Sequence, residues 1–451
     1  GLPPYTDTAG KGKVRVGKDC QPLTGTMRRR ILVETGENDF TAEEVPEPVE
    51  AILSPAALEA LRDVACQEKA PPDLLAAGDL DILGALGVLR GGRLNRAGLL
   101  LAGRSLAIER HVPNHLWTHL RMQSETDYQD RADGRDALPI ALTHMTDRIM
   151  ANNPITTLAY GLFHFEYRTY PELALREALL NALCHRDFRL GGPVIVKQLP
   201  GRLEIGNPGG FIGGITPENI LHHLPVARNP ALVDALTQLR LVNRSNLGIQ
   251  RMFSAMLIEG KAPPRVEEQG DAVVIVLRAA PLSAPLRAFV AEENGRGRLL
   301  SVDHLLVLRH LLGHPELSTP EAARLCQRAE PEARELLGQM EREFGYLERG
   351  GTGRGTYWRL NHSLHHRLAG PGQPERDQRI EWETAKTRLL DILRQRSERG
   401  GPGLSNEEAR AATLLDRRQI KRLLSELRDE GHVRLVGRGR YARWVFAAPG
   451  Q

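Results

Sequence analysis

Cysteine is scarce in this sequence, and its placement excludes two kinds of small scaffold. The 451 residues contain four cysteines, which are far apart and form no CxxC pair. They are Cys20, Cys66, Cys184 and Cys326. Neither a disulfide framework nor a cysteine zinc site is therefore expected. This usage predicts a protein of the reducing cytoplasm.

Long apolar runs, targeting signals and the P-loop motif are also lacking. No run reaches the roughly 18 apolar residues that a membrane span needs, and no secretory signal opens the sequence. The pattern GxxxxGK[ST] does not occur, which excludes a P-loop motor. With 41% hydrophobic and 26% charged residues, the composition is that of a globular protein. The length predicts several domains.

Net charge is small overall but unevenly distributed. The whole chain carries +4, whereas residues 371–451 contain 17 Lys and Arg against 12 Asp and Glu, a balance of +5. The preceding part is therefore close to neutral. A basic C-terminal module on a neutral body indicates a polyanionic partner, and DNA is the expected one.

One predicted helix has an unusual polar face. In LREALLNALCHRDF, residues 175–188, Leu and Ala recur at helical spacing. Glu177, Asn181 and His185 lie four residues apart and so share one face. Exposed faces usually carry Lys and Glu pairs, so a carboxylate, an amide and an imidazole together indicate a binding face. The alternatives are a solvated Glu and Asn pair, and a His185 that braces the helix end.

Two glycine-containing bends follow this helix. VIVKQLP and RLEIGNP predict a β-hairpin whose turn is Pro200 and Gly201. The second strand runs directly into NPGGF, residues 207–211. Further on, NRSNLGIQRMF predicts a loop that opens another helix, whose first N–H groups form a natural anion site. In the first part of the chain, LDILGAL and AGLLLAG predict a mixture of helix and strand.

The C-terminal third shows one pattern twice. Each copy predicts three helices and a two-stranded hairpin, which is a winged helix, over residues 298–364 and 380–448. The third helix of the first copy is acidic and is not expected to contact DNA. The third helix of the second copy is basic and is expected to contact DNA. The alternative is that the module docks another protein. The expected DNA-contacting residues are Arg417, Arg418, Lys421 and Arg422 on the helix, and Arg438 and Arg440 on the wing.

The order of the central elements resembles the GHKL (Bergerat-type) ATPase fold, an α/β sandwich. The resemblance implies that Glu177 polarises water and that Asn181 ligates Mg²⁺, with ATP or ADP as the nucleotide. Asn207 stands where that family has an Asp that receives the adenine amino group. The resemblance also places Gly209, Gly210, Leu247, Gly248 and Ile249 around the nucleotide, and two further residues are expected there: His185, from the same helix face, and Arg228, which could reach a phosphate. Arg228 has the alternative role of stabilising the turn before Pro230.

Several spaced motifs together resemble one subgroup of that fold. It is the divergent ATPase-like domain behind a Schlafen-type AlbA-like domain in bacterial transcriptional regulators, often labelled RecG-like helicases. KVRVGKDCQPLTGTMRRRI is similar to the tail of the AlbA-like domain, most of which is absent from this sequence. The implied architecture is an α+β multidomain chain. Its parts are an AlbA-like remnant over 1–45, a connecting α/β segment over 46–130 and the GHKL-like domain over 131–285.

The function expected from this resemblance is a nucleotide-responsive DNA-binding transcriptional regulator that forms a homodimer. Two alternatives stay open, and the Asn at position 207, which departs from the family's Asp-x-Gly-x-Gly pattern, supports the second of them. One is a weak Mg²⁺-dependent ATPase acting in phage defence or DNA transactions. The other is a scaffold whose nucleotide pocket has degenerated.

Overall fold

The computed structural model forms two compact units, residues 1–287 and 288–451. It describes residues 12–16, 19–22, 39–160, 163–243, 247–350, 356–369, 382–398, 401–413, 415–437, 439 and 442–447. The end of the stretch that resembles the AlbA-like tail, residues 23–31, lies outside these ranges. None of the helices within them is both long and apolar enough to cross a membrane.

The first part of unit 1 combines short strands with helices. The strands are β1 Lys13–Val16, β2 Asp19–Pro22, β3 Glu44–Pro48, β4 Leu89–Arg90 and β5 Arg93–Asn95. The helices are α1 Val49–Ile52, α2 Pro55–Gln67, α3 Pro72–Ala76, α4 Asp79–Ala85, α5 Arg96–Ala102 and α6 Ser105–His111. LDILGAL and AGLLLAG both lie in helices. Asn95 caps α5 by accepting a hydrogen bond from Gly98 N. Because nearly all residues of α5 are buried, its sequence shows no alternation of apolar and polar residues at helical spacing.

A six-stranded mixed sheet forms the centre of unit 1. Its strands are β6 Trp117–Met122, β7 Tyr128–Gly134, β10 Val194–Leu199, β11 Arg202–Pro208, β12 Arg265–Gln269 and β13 Ala272–Arg278. They are ordered β12-β13-β11-β10-β6-β7, and only β6 and β10 run parallel. The predicted hairpin is confirmed as β10 and β11. The boundary expected after residue 130 falls inside β7, so the preceding segment contributes strands to this sheet.

Helices pack against the sheet and against one another. They are α7 Leu138–Met150, α8 Glu172–His185, α9 Pro230–Gln238 and α10 Leu247–Ile258. Helix α8 contacts α7, α10 and β11, and most of its side chains are buried. A separate hairpin joins β8 Ile155–Tyr160 to β9 Phe163–Arg168. The α+β class with an α/β core is confirmed.

Unit 2 repeats one order of elements. Its helices are α11 Ala284–Gly295, which begins in unit 1, α12 Val302–Gly313, α13 Thr319–Leu325, α14 Glu330–Arg342, α15 His362–Leu368, α16 Trp382–Glu398, α17 Asn406–Thr413 and α18 Arg417–Asp429. Its strands are β14 Leu317–Ser318, β15 Leu347–Gly350, β16 Tyr357–Leu360, β17 Val433–Val436 and β18 Arg443–Phe446. Capping boxes are present at Ser318, before α13, and at Asp416, before α18. Trp358 on β16 and Trp444 on β18 are buried.

Candidate functional site

A cavity of about 110 Å³ lies where α8, the bend after β11 and the start of α10 meet. Seven of the residues predicted from the sequence line it: Asn181, His185, Asn207, Gly209, Gly210, Arg228 and Ile249. The remaining wall is apolar. It comes mainly from residues 211–226 and from β12 and β13. Segments far apart in the sequence thus meet at one largely apolar pocket with a few polar groups, the usual composition of a small-molecule site.

Glu177 lies beside this cavity rather than in its lining. Its carboxylate is 6% exposed and accepts from Arg176 Nη1 at 3.1 Å, and Arg251 Nη1 lies 3.8 Å away. Burial raises the pKa of Glu177, and the two arginines oppose that rise. Arg176 also pairs with Glu68 at 2.8 Å. The carboxylate is therefore held in a chain of ion pairs.

The start of α10 approaches the polar face of α8 closely. A Cβ placed on Gly248 would lie 2.7 Å from Glu177 Oε2 and 3.9 Å from Asn181 Nδ2. A side chain at this position would collide with the carboxylate, so glycine is what allows the approach. Leu247 and Gly248 do not line the cavity, whereas Ile249 does. Residues 244–246, which precede α10, lie outside the described ranges.

Asn181 is one of the polar residues that line the cavity. Its Nδ2 donates to Glu177 O at 2.7 Å, one helical turn back, which leaves Oδ1 for a ligand. In the described part of the chain, no group of three or more His, Cys, Asp or Glu side chains could hold a metal ion. The donor set still suits Mg²⁺, because this ion takes few protein oxygens and keeps phosphate and water ligands.

The bend after β11 depends on its two glycines. Gly209 has φ +109° and donates its N–H to Asp271 O at 2.6 Å. That backbone conformation is open to glycine and strained for other residues. A Cβ at Gly210 would collide with Glu268 Oε1, which accepts from Phe211 N at 3.1 Å. The bend is thereby anchored to the loop between β12 and β13 and to β12 itself.

Arg228 lines the cavity, but its guanidinium is engaged with protein groups. Nε donates to His185 O at 3.2 Å, Nη2 donates to Gly210 O at 2.5 Å, and Nη1 lies 3.4 Å from Asp187 Oδ2. Arg228 thus joins the end of α8 to the glycine bend. Its neighbour Asn229 donates to Cys184 O and Arg186 O. These contacts hold the guanidinium between the end of α8 and the glycine bend, a stabilising arrangement.

His185 contributes a neutral ring to the lining. Burial, together with a smaller effect of the nearby Arg228, lowers the pKa of His185 from 6.5 to about 4. The imidazole is therefore uncharged at neutral pH. A neutral ring offers one donor nitrogen and one acceptor nitrogen.

A second buried histidine supports a prediction about pH. His115 is 1% exposed, and its Nε2 lies 2.8 Å from Asp136 O. Burial lowers its pKa from 6.5 to about 4, against the effect of that hydrogen bond. The unfolded chain takes up a proton below pH 6.5, whereas the folded chain does so only near pH 4. The contribution of His115 to the free energy of unfolding should therefore be highest above pH 6.5 and fall by about 1.4 kcal/mol per pH unit between pH 6.5 and about pH 4.

Urea unfolding at pH 7.5 and pH 5.0 measures this contribution. His115→Gln should lose less stability than the wild type between the two pH values, because glutamine does not titrate. His144→Gln removes an exposed imidazole and is the matched control. An identical pH dependence in wild type and His115→Gln would contradict the prediction.

Sequence reasoning missed most of the residues that support the site. Arg176, Arg251, Asp187 and Glu268 were not predicted. Asp187 lies in HRDF directly after α8, and its N–H donates to Pro208 O at 2.8 Å. The adjacency of HRDF to the polar helix was a usable signal. Arg176 is adjacent to Glu177 and also pairs with the distant Glu68, so the sequence showed only part of its role. The partners of Arg251 and Glu268 are distant in sequence and left no signal.

Four of the six residues predicted to contact DNA lie on α18, the last of the described helices of unit 2. On α18 the inward face is formed by Ile420, Leu423, Leu424 and Leu427, which are buried. Arg418, Lys421 and Arg422 are exposed, and Arg417 is half-buried. Arg438 and Arg440 lie outside the described residues. Helix α18 thus has an apolar inner face and a basic outer one.

Comparison with known proteins bears on the core. Residues 191–277 match the family described as "Putative ATP-dependent DNA helicase recG C-terminal". They contain β10 to β13 and the glycine bend but not α8. The solved structure of the DIP2311 protein from Corynebacterium diphtheriae is similar, with a TM-score of 0.64 and 24% identity, over 98% of this chain and 76% of that one. No curated protein matches. The solved structure shows a shared fold, and the family match supports an ATP-binding, GHKL-like fold for the core.

Proposed function

We propose that this chain is a nucleotide-responsive DNA-binding regulator whose core binds ATP or ADP with Mg²⁺. The observation that carries the proposal is the convergence of Asn181, Asn207 and the start of α10 on one apolar cavity. These three elements are separated by tens of residues in the sequence. Their meeting at a single pocket is the arrangement that the GHKL resemblance implies.

The lining residues suit the parts of a nucleotide differently. A cavity of about 110 Å³ is smaller than the roughly 300–1,000 Å³ of sites that enclose drug-sized ligands, so it suits a planar base. Ile212, Val273 and Ile275 would contact the faces of the base, and Asn207 its polar edge. Asn181 Oδ1 would be the protein ligand of Mg²⁺. The first N–H groups of α10 would attract the phosphates.

Calorimetric titration with ATP, with and without Mg²⁺, tests this function. We expect the wild type to bind ATP and Mg²⁺ to strengthen the binding. Asn181→Ala should remove most of the increase in ATP affinity that Mg²⁺ causes, a loss of roughly tenfold or more, because a metal-ligating oxygen is lost. Asn294→Ala, an exposed change on α11, is the control. A wild type that releases no heat and shows no thermal shift with ATP and Mg²⁺ would end the proposal.

Hydrolysis is not part of this proposal. Glu177 would have to orient the attacking water, yet its carboxylate is engaged by Arg176 and lies outside the cavity lining. The helicase in the description of the matched family is not carried over either, because this chain has no P-loop motif.

The DNA-binding part of the proposal rests on unit 2. We propose that each of its repeats, three helices and a hairpin, is a winged helix and that the second one contacts DNA through α18. The regulator is proposed to act as a homodimer in the cytoplasm. Light scattering tests the mass of the particle, and DNA titration with and without ATP tests whether nucleotide alters DNA binding.

A further inference from the structure

The cavity has no acidic side chain among the described residues that line it. Two acids lie close to the bend, and both have protein partners. Asp187 Oδ1 accepts from Arg189 N at 3.0 Å, and its Oδ2 faces Arg228. Glu268 accepts from Phe211 N. Neither acid is placed to select a base by its negative charge.

Asn207 is the polar group at the β11 end of the cavity. It is 6% exposed, so it is shielded from solvent. Its Nδ2 lies 3.5 Å from Pro208 O, beyond the usual range for an N–H···O hydrogen bond. The amide therefore keeps most of its hydrogen-bonding capacity for a ligand. A carboxamide offers two N–H donors and one acceptor oxygen, whereas an ionised carboxylate only accepts.

Purine bases differ in the substituent on C6, which is the group that Asn207 would contact. Adenine has an amino group there, which donates, and guanine and hypoxanthine have a carbonyl oxygen, which accepts. An aspartate would accept from the amino group and repel the carbonyl. An asparagine can pair with either by presenting its oxygen or its nitrogen.

We infer that Asn207 makes this pocket accept 6-oxopurine nucleotides as well as 6-aminopurine ones. The inference rests on the nucleotide-binding function proposed above and extends its ligand class to guanine and hypoxanthine nucleotides. The ring of His185, on the same wall, has no hydrogen bond to another described residue, so it adds a second group that can donate or accept. The apolar walls contact either base alike.

The experiment is calorimetric titration of the full chain with ATP, GTP and ITP, each with Mg²⁺. We expect the three dissociation constants of the wild type to agree within about tenfold. Asn207→Asp should keep ATP binding and weaken GTP and ITP by roughly 100-fold, because their carbonyl oxygen would face a carboxylate. Asn294→Asp makes the same chemical change on the exposed surface of α11 and should alter none of them.

The outcomes separate this inference from the proposed function. Binding of ATP without measurable binding of GTP and ITP to the wild type overturns the inference and leaves nucleotide binding intact. No binding of any of the three overturns both. Equal binding of all three by Asn207→Asp overturns the role of Asn207. If Asn207→Asp does not fold, the ratio of the wild-type dissociation constants for ATP and for GTP or ITP still decides the inference. Asn207→Ser, whose hydroxyl group also donates and accepts, should then bind both purine classes.

Discussion

Gly209→Ala is expected to lower the free energy of unfolding of unit 1 by about 2–6 kcal/mol and to abolish nucleotide binding. Gly209 has φ +109°, a conformation that costs an L residue about 1–3 kcal/mol. A Cβ there would also lie 3.0 Å from Asp187 Cβ and 3.2 Å from Arg228 Nε. Relieving that crowding costs roughly 1–3 kcal/mol more. The bend that carries Asn207 would shift as a result.

Gly191→Ala is the matched control for this change. Gly191 precedes β10, and a Cβ on it would meet no atom within 4 Å. Urea unfolding and ATP titration of both variants measure the two effects. The explanation fails if Gly209→Ala has the wild-type urea midpoint and the wild-type affinity for ATP.

Removing the basic residues of α18 should have the second large effect. Changing Arg417, Arg418, Lys421 and Arg422 together to Ala is expected to weaken binding to duplex DNA by about two orders of magnitude at moderate salt. The slope of log K against log salt should fall by about 0.9 for each lost phosphate contact. The inner face of α18 is untouched by these changes, so the helix should remain folded.

Fluorescence anisotropy with a labelled duplex, over a range of salt concentrations, measures both quantities. The control is the double change Arg334→Ala and Arg342→Ala on α14, whose sequence is acidic. It removes positive charge from the corresponding helix of the first repeat and should leave DNA binding unchanged. An unchanged salt slope in the α18 variant would show that this helix does not contact phosphates.

Much of the local structure could be predicted because its causes are local. The spacing of Glu177, Asn181 and His185 placed them on one face of α8, and the hairpin of β10 and β11 followed from its turn residues. Capping boxes at Ser318 and Asp416 involve residues three apart. In contrast, α5 escaped a clear prediction because a fully buried helix has no polar face to reveal its period.

The sequence by itself determined which side chains the candidate site would contain and which elements would carry them. Only the tertiary structure decided how they are used. It engaged Arg228 with Asp187 and with the carbonyl group of His185, placed Arg251 near Glu177, and built the apolar wall from residues 211–226. Spacing along a helix or strand is a property of neighbouring residues. Contacts between residues 40 or more positions apart arise from packing, which no local pattern encodes.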